Sequence, residues 1–162
     1  DLQIAAFILY GDVEITTHAA AKLLASAPEF DILLTAASKS IPLIYEMSRQ
    51  AGKNEYIVAQ KAQKVYMENP LVIDVNSITT FETQKLWLGR DDADKMKDRR
   101  VLIVDDVIST GESLKALEKL AIEAGGEVVG RMAVLAEGDA YDRTDITVLG
   151  KLPLFDGDGN LK

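Results

Sequence analysis

The sequence predicts an α/β fold: a parallel-sheet core with flanking helices and a protruding β-hairpin. Short apolar runs at 30–35 (FDILLT), 56–59 (YIVA), 101–104 (VLIV) and 128–135 have the near-continuous hydrophobicity of strands covered on both faces. Helical patterns alternate with them, and strand–helix–strand units of this kind close right-handed onto a parallel sheet. Between 72 and 88 the pattern changes to two short strands around a polar centre, which reads as a hairpin standing away from the sheet.

Taken in order, residues 2–9 (LQIAAFIL) read as a strand over the core, and Tyr10-Gly11-Asp12 as a turn. Thr17 is expected to cap a helix through Ala25, with Ala19, Leu23 and Leu24 apolar and Pro28 beyond its end. His18, the only histidine, falls in the first turn of that surface helix and is expected to be solvated. After the strand at 30–35, the loop Ala36 to Ser40 leads to Pro42, a residue suited to a first helical turn, and the helix stops near Gly52. A third strand follows at 56–59. The hairpin strands are expected at 72–78 and 85–88, and a short charged helix and turn at 91–100. The run 101–104 should stop at Asp105 and Asp106. A turn through Ser109-Thr110-Gly111 then opens a helix carrying Leu114, Leu117, Leu120, Ala121 and Ala124 towards Gly125. Strands at 128–135 and 146–149 close the order, and the tail 156–160 (DGDGN) reads as a solvated turn, lacking the sixth-position glycine and the terminal glutamate of a calcium loop.

A chain of 162 residues suits one domain, 1–162, with the hairpin at about 72–88 as an insertion. No apolar run approaches the roughly 18–20 residues that span a bilayer, and no signal-peptide pattern is present. The absence of cysteine excludes a disulfide scaffold, thiolate metal sites and cysteine catalysis. No membrane partner and a cytoplasmic location are therefore expected. The net charge of −8 argues against a general grip on nucleic acid. The chain starts at Asp1 without methionine, which leaves room for a preceding N-terminal piece, and residues of such a piece could belong to the site. Neither a Walker A lysine motif nor a Rossmann glycine triplet occurs.

The chemistry concentrates in 101–113 (VLIVDDVISTGES). The unpaired, partly positive amides at a helix start favour a phosphate there. Gly111 permits close backbone approach, and Ser109, Thr110 and Ser113 supply hydroxyl donors. Asp105 and Asp106, one loop away, repel a phosphate and suit a neutral diol or a metal bridging to one. A phosphate beside a vicinal diol is a phosphorylated ribose.

These thirteen contiguous residues resemble the 5-phosphoribosyl 1-pyrophosphate (PRPP) motif of type I phosphoribosyltransferases. The resemblance implies that family's fold, with the hairpin as a hood that closes over the reacting centre. It implies displacement of pyrophosphate from PRPP by a nucleobase, with Asp105 and Asp106 holding the ribose hydroxyls directly or through Mg2+. Ser109, Thr110, Gly111, Glu112 and Ser113 would bind the 5-phosphate, and Val107 and Ile108 would border the base. The loop Ala37-Ser38-Lys39-Ser40 takes the place of the pyrophosphate loop, although Ala37 stands for an acidic residue and Ser40 for the usual glycine. Lys61 falls where relatives carry a basic dipeptide, and is either a phosphate contact or a solvated strand end. Lys85 is a further pyrophosphate candidate. The hood keeps Ser77 of the adenine-type pattern but lacks its leucine-glutamate-tyrosine run. Ser109 replaces the aspartate of hypoxanthine-guanine enzymes, so the adenine-type branch is the first expectation, with a homodimer as the family's general state. Xanthine, hypoxanthine or orotate as the base, and a PRPP-binding regulator without catalysis, are the alternatives.

Overall fold

A computed structural model describes residues 2–9, 11–75 and 84–162. Five parallel strands form the central sheet in the order β3-β2-β6-β7-β8, with β2 at Ile32–Ala36, β3 at Ile57–Ala59, β6 at Arg100–Ile108, β7 at Glu127–Glu137 and β8 at Thr147–Leu152. Helices α1 (Val13–Ser26) and α2 (Ile41–Gln50) pack on one face, burying Leu23, Leu43, Ile44 and Met47 against Leu33, Leu102, Val104 and Met132. Helices α3 (Arg90–Met96) and α4 (Glu112–Glu123) cover the other, where Met96, Leu117 and Leu120 meet Ile32, Leu34, Val101 and Ile103. Neighbouring residues of β2 and of the first half of β6 thus enter different cores, which is why their runs are apolar without alternation.

The hairpin strands are β4 (Leu71–Val75) and β5 (Gln84–Leu88), antiparallel, with Ile73, Val75, Leu86 and Leu88 buried in the α4-side core. Residues 76–83, the expected hood tip with Ser77, lie outside the described residues. The foot of the hairpin is pinned to the sheet edge by reciprocal backbone bonds between Gln60 and Trp87, at 2.8 and 2.7 Å.

Three expectations need correction. The strand at 101–104 does not stop at the acidic pair: β6 runs on to Ile108, because β7 continues beside it and backbone pairing is indifferent to a carboxylate on the strand. Helix α1 starts at Val13, not after Thr17; Asp12 Oδ1 accepts the Ile15 N–H at 3.0 Å and so caps it. The strand expected over 2–9 is confined to β1 (Leu2–Ile4). It pairs with β9 (Leu154–Asp156) in a separate two-stranded sheet, and beyond β9 residues 157–160 form an exposed turn, as expected. His18 is exposed, as expected.

Candidate functional site

The site lies at the carboxyl ends of β2, β3 and β6, the edge where open parallel sheets bind ligands. Ala37 to Ser40 turn from β2 into α2; Ala37 N–H donates to Ala59 O at 2.8 Å, holding the loop beside β3. The Ala37–Ser38 peptide is cis. Ser38 and Lys39 are exposed, whereas Ser40 turns inward and is 1% exposed. Its hydroxyl donates to Asp105 Oδ1 at 2.6 Å and accepts the Asp106 N–H at 2.9 Å, joining segments 65 residues apart.

Asp105 Oδ1 also accepts the Asp106 N–H, at 2.8 Å. Burial raises the Asp105 carboxyl well above the usual carboxylate range, and the charge of Asp106 adds to that rise while the Ser40 hydroxyl opposes it. Asp106 is 6% exposed, and its Oδ2 has no hydrogen-bond partner. A buried, unsatisfied carboxylate oxygen costs stability and marks a place for a ligand. Lys39 Nζ, 3.9 Å from that oxygen, is the single cation that reaches the pair among the described ion pairs. Two carboxylates side by side, one with an orphan oxygen, can accept hydrogen bonds from sugar hydroxyls or ligate a hard cation.

Past β6, Ser109 and Thr110 are exposed and Gly111 adopts φ +80°, a conformation natural to glycine, to start α4. No side chain caps α4 in the usual way; only Thr110 Oγ1 approaches the first-turn amide of Glu112, at 3.4 Å. Glu112 is paired with Lys115 at 2.8 Å, and Ser113 is exposed. A cavity of about 500 Å³ opens beside this loop, lined by Ser109, Thr110, the segment 137–140 and Arg143.

Of the two residues expected at the base, Val107 is half-buried, but Ile108 is 2% exposed and belongs to the core beneath α4, so Ile108 has no surface to offer a base. Lys61 is exposed beside the Gln60–Trp87 bridge. Lys85 Nζ sits 3.5 Å from Asp74 Oδ1, its partner across the hairpin, so it is tied to the hairpin itself; an exposed pair of this kind is weak.

The model of the phosphoribosyl transferase domain family matches residues 12–151. The chain belongs to this family. It is 33% identical over 113 residues to the hypoxanthine/guanine phosphoribosyltransferase of Methanococcus voltae, covering 70% of this chain and 56% of that protein. It is 35% identical over 99 residues to the adenine phosphoribosyltransferase of Thermosipho africanus, covering 60% of this chain and 48% of that one. The match thus spans about half the length of these relatives. The fold is that of the adenine phosphoribosyltransferase of Thermoanaerobacter pseudethanolicus, with a TM-score of 0.74 at 21% identity over 87% of this chain and 83% of the other.

Two features of this phosphoribosyl transferase domain escaped the sequence. One is the inward turn of Ser40, which the sequence places with Ala37, Ser38 and Lys39 in a single loop. The other is Arg143, held by Asp145 through Nε at 2.9 Å and Nη2 at 2.7 Å. Its guanidinium lies so close to Gly111 that a Cβ there would collide with it. The only sequence signal was a lone arginine in the acidic run 138–145 (GDAYDRTD), which is hard to tell from a solvated loop.

Proposed function

We propose that the protein transfers the 5-phosphoribosyl group of PRPP to a purine base, adenine in the first place, and releases pyrophosphate. The observation that carries this reading is the Ser40 bridge, which joins the pyrophosphate loop to the acidic pair a few residues before the start of α4. A ligand with a diol between two anionic groups suits that arrangement, and PRPP is one.

In the reaction, a ring nitrogen of the base forms a bond to the anomeric carbon as the carbon–oxygen bond to pyrophosphate breaks, and that electron pair leaves with pyrophosphate. Positive charge develops on the sugar. Asp105 and Asp106 accept hydrogen bonds from the ribose hydroxyls and favour that charge electrostatically. The amides at the start of α4, with Ser109, Thr110 and Ser113, hold the 5-phosphate, and Arg143 adds a cation beside the loop. Lys39 and the loop at 37–38 face the leaving group, with Lys61 and, when released from Asp74, Lys85 as further cations. Val107 is the remaining candidate for the base edge.

Among the described residues no cluster of three or more His, Cys, Asp or Glu could hold a metal ion alone. Two carboxylates with an orphan oxygen do fit Mg2+, which commonly takes one or two carboxylates and completes its shell with water and phosphate oxygens. Asp105 and Asp106 would hold it, and it would supply positive charge to the pyrophosphate oxygens.

Adenine is favoured by Ser109, a small residue with no carboxylate to manage a ring proton; the relatives of similar sequence include both adenine and hypoxanthine/guanine enzymes. A homodimer belongs to the same reading; exposed Val13 and Tyr45 beside an apolar cavity of about 230 Å³ are consistent with it. No helix among the described residues is long and apolar enough to cross a membrane. The test is pyrophosphate release from PRPP and Mg2+ with adenine, hypoxanthine, guanine, xanthine or orotate. Release with adenine alone is expected. Release with another base moves the specificity, and tight PRPP binding without release makes the protein a PRPP-binding regulator.

A further inference from the structure

The geometry points to Ser40 as a positioning residue that sets the acidic pair for catalysis, and not as a ligand of the leaving group. This inference rests on the transferase reading. Ser40 occupies the N-cap position of α2, where a serine ordinarily bonds a first-turn amide, yet its side chain makes no such bond. The hydroxyl is spent across the site instead. A hydroxyl has one proton, and the 2.6 Å contact to Asp105 Oδ1 is the one that takes it; the Asp106 Oδ1 contact, at 3.4 Å, is left without a donor hydrogen. The oxygen accepts from Asp106 N–H at 2.9 Å.

The result is a division between oxygens. Asp105 Oδ1 receives two donors, the Ser40 hydroxyl and the Asp106 amide, which fixes the plane of the carboxylate. Asp105 Oδ2 makes no hydrogen bond among the described residues, and Asp106 Oδ2 is buried without one, so each acid keeps an oxygen for a ligand. Ser40 itself is 1% exposed, shut away from the face where Ser38 and Lys39 meet solvent. A carboxylate already held in place stabilises a developing sugar cation without reorganising at the moment of reaction. Removing the clamp should therefore lower turnover more than it weakens binding of PRPP or pyrophosphate.

The experiment is a double-mutant cycle on kcat with Ser40→Ala and Asp105→Asn, alongside KM for PRPP, inhibition by pyrophosphate and thermal melting. Loss of one hydrogen bond to a carboxylate is expected to cut kcat by about ten-fold, with KM and pyrophosphate inhibition within about two-fold. In the Asp105→Asn background the same change should have less than about a two-fold effect, because its target is already altered. Ser40→Gly, which adds no atom, replaces Ser40→Ala if the latter does not fold, and Ser40→Thr should retain most of the turnover. A fully additive cycle, or weakened pyrophosphate inhibition with kcat intact, overturns the inference. An active wild type with an unaffected Ser40→Ala sinks this inference alone, whereas a wild type silent with every base sinks the transferase reading and this with it.

Discussion

At the amino end of β6, Arg100 grips Asp31 through Nε at 3.1 Å and Nη2 at 2.9 Å, while its backbone N–H also donates to that carboxylate at 2.9 Å. At the carboxyl end of the same strand, Asp105 accepts a serine hydroxyl, and the Asp106 carboxylate has, among the described residues, only one lysine nearby, 3.9 Å away. The first carboxyl is pushed well below the ordinary range by the hydrogen bonds and charge of Arg100. The second is pushed above it by burial and a like charge. A carboxylate is thus satisfied where nothing binds and left in need of a partner where a ligand is proposed. The contrast separates an ion pair that locks β2 to β6 from an acidic pair kept at a cost to stability.

The largest way to break this contrast is Asp105→Ala. Steady-state assays should show kcat reduced by about 10²–10³-fold, the scale of removing one preorganised electrostatic group, with the fold retained by circular dichroism. Turnover within about two-fold of wild type would remove the acidic pair from the chemistry.

Next come opposite shifts in melting temperature at neutral pH without added metal. Asp31→Asn should lower it by a few degrees and leave kcat unchanged. Because the Asp31 carboxyl is depressed in the folded state, its contribution is present above the ordinary carboxylate range near 4 and is lost as pH falls through the folded value, so the penalty should fade in acid. Asp105 has the reverse sign. Its folded carboxyl is raised, so the native state holds the extra proton and stability declines as pH climbs from about 4 through that raised value. Asp105→Asn should remove that decline and raise the melting temperature at neutral pH by about 2–4 °C, the shift that about 1 kcal/mol gives a chain of this size. Two shifts of the same sign would contradict the comparison.

The smallest effect belongs to Lys39→Ala. Its ammonium is largely exposed, so KM for PRPP should rise by about two- to five-fold with the melting temperature unchanged. An unchanged KM would place Lys39 in the solvent.

Much of the fold could be read from the chain because burial on both faces writes itself as uninterrupted apolar runs, as in 101–104, and because Gly111 marks a turn that only a positive φ satisfies. The start of α1 was hidden by Val13 and Ile15, apolar side chains that are exposed and blur the amphipathic pattern. The end of β6 was hidden for a different reason: pairing with β7 supplies the backbone bonds whatever the side chains are. The β1–β9 pair joins the two ends of the chain, a contact that local pattern does not carry. In the site, the acidic pair and the phosphate loop are contiguous and legible. Ser40 and Arg143 act on them from 65 and 32 residues away along the chain, through side-chain geometry that spacing does not encode.

The most direct measurement of the central claim is calorimetric titration of PRPP with Mg2+ into the wild type and into Asp106→Asn. Saturable binding at one site per chain is expected, weakened by about ten-fold or more in Asp106→Asn, with the melting temperature maintained. Equal affinity in the two proteins would mean that PRPP does not meet the acidic end of β6.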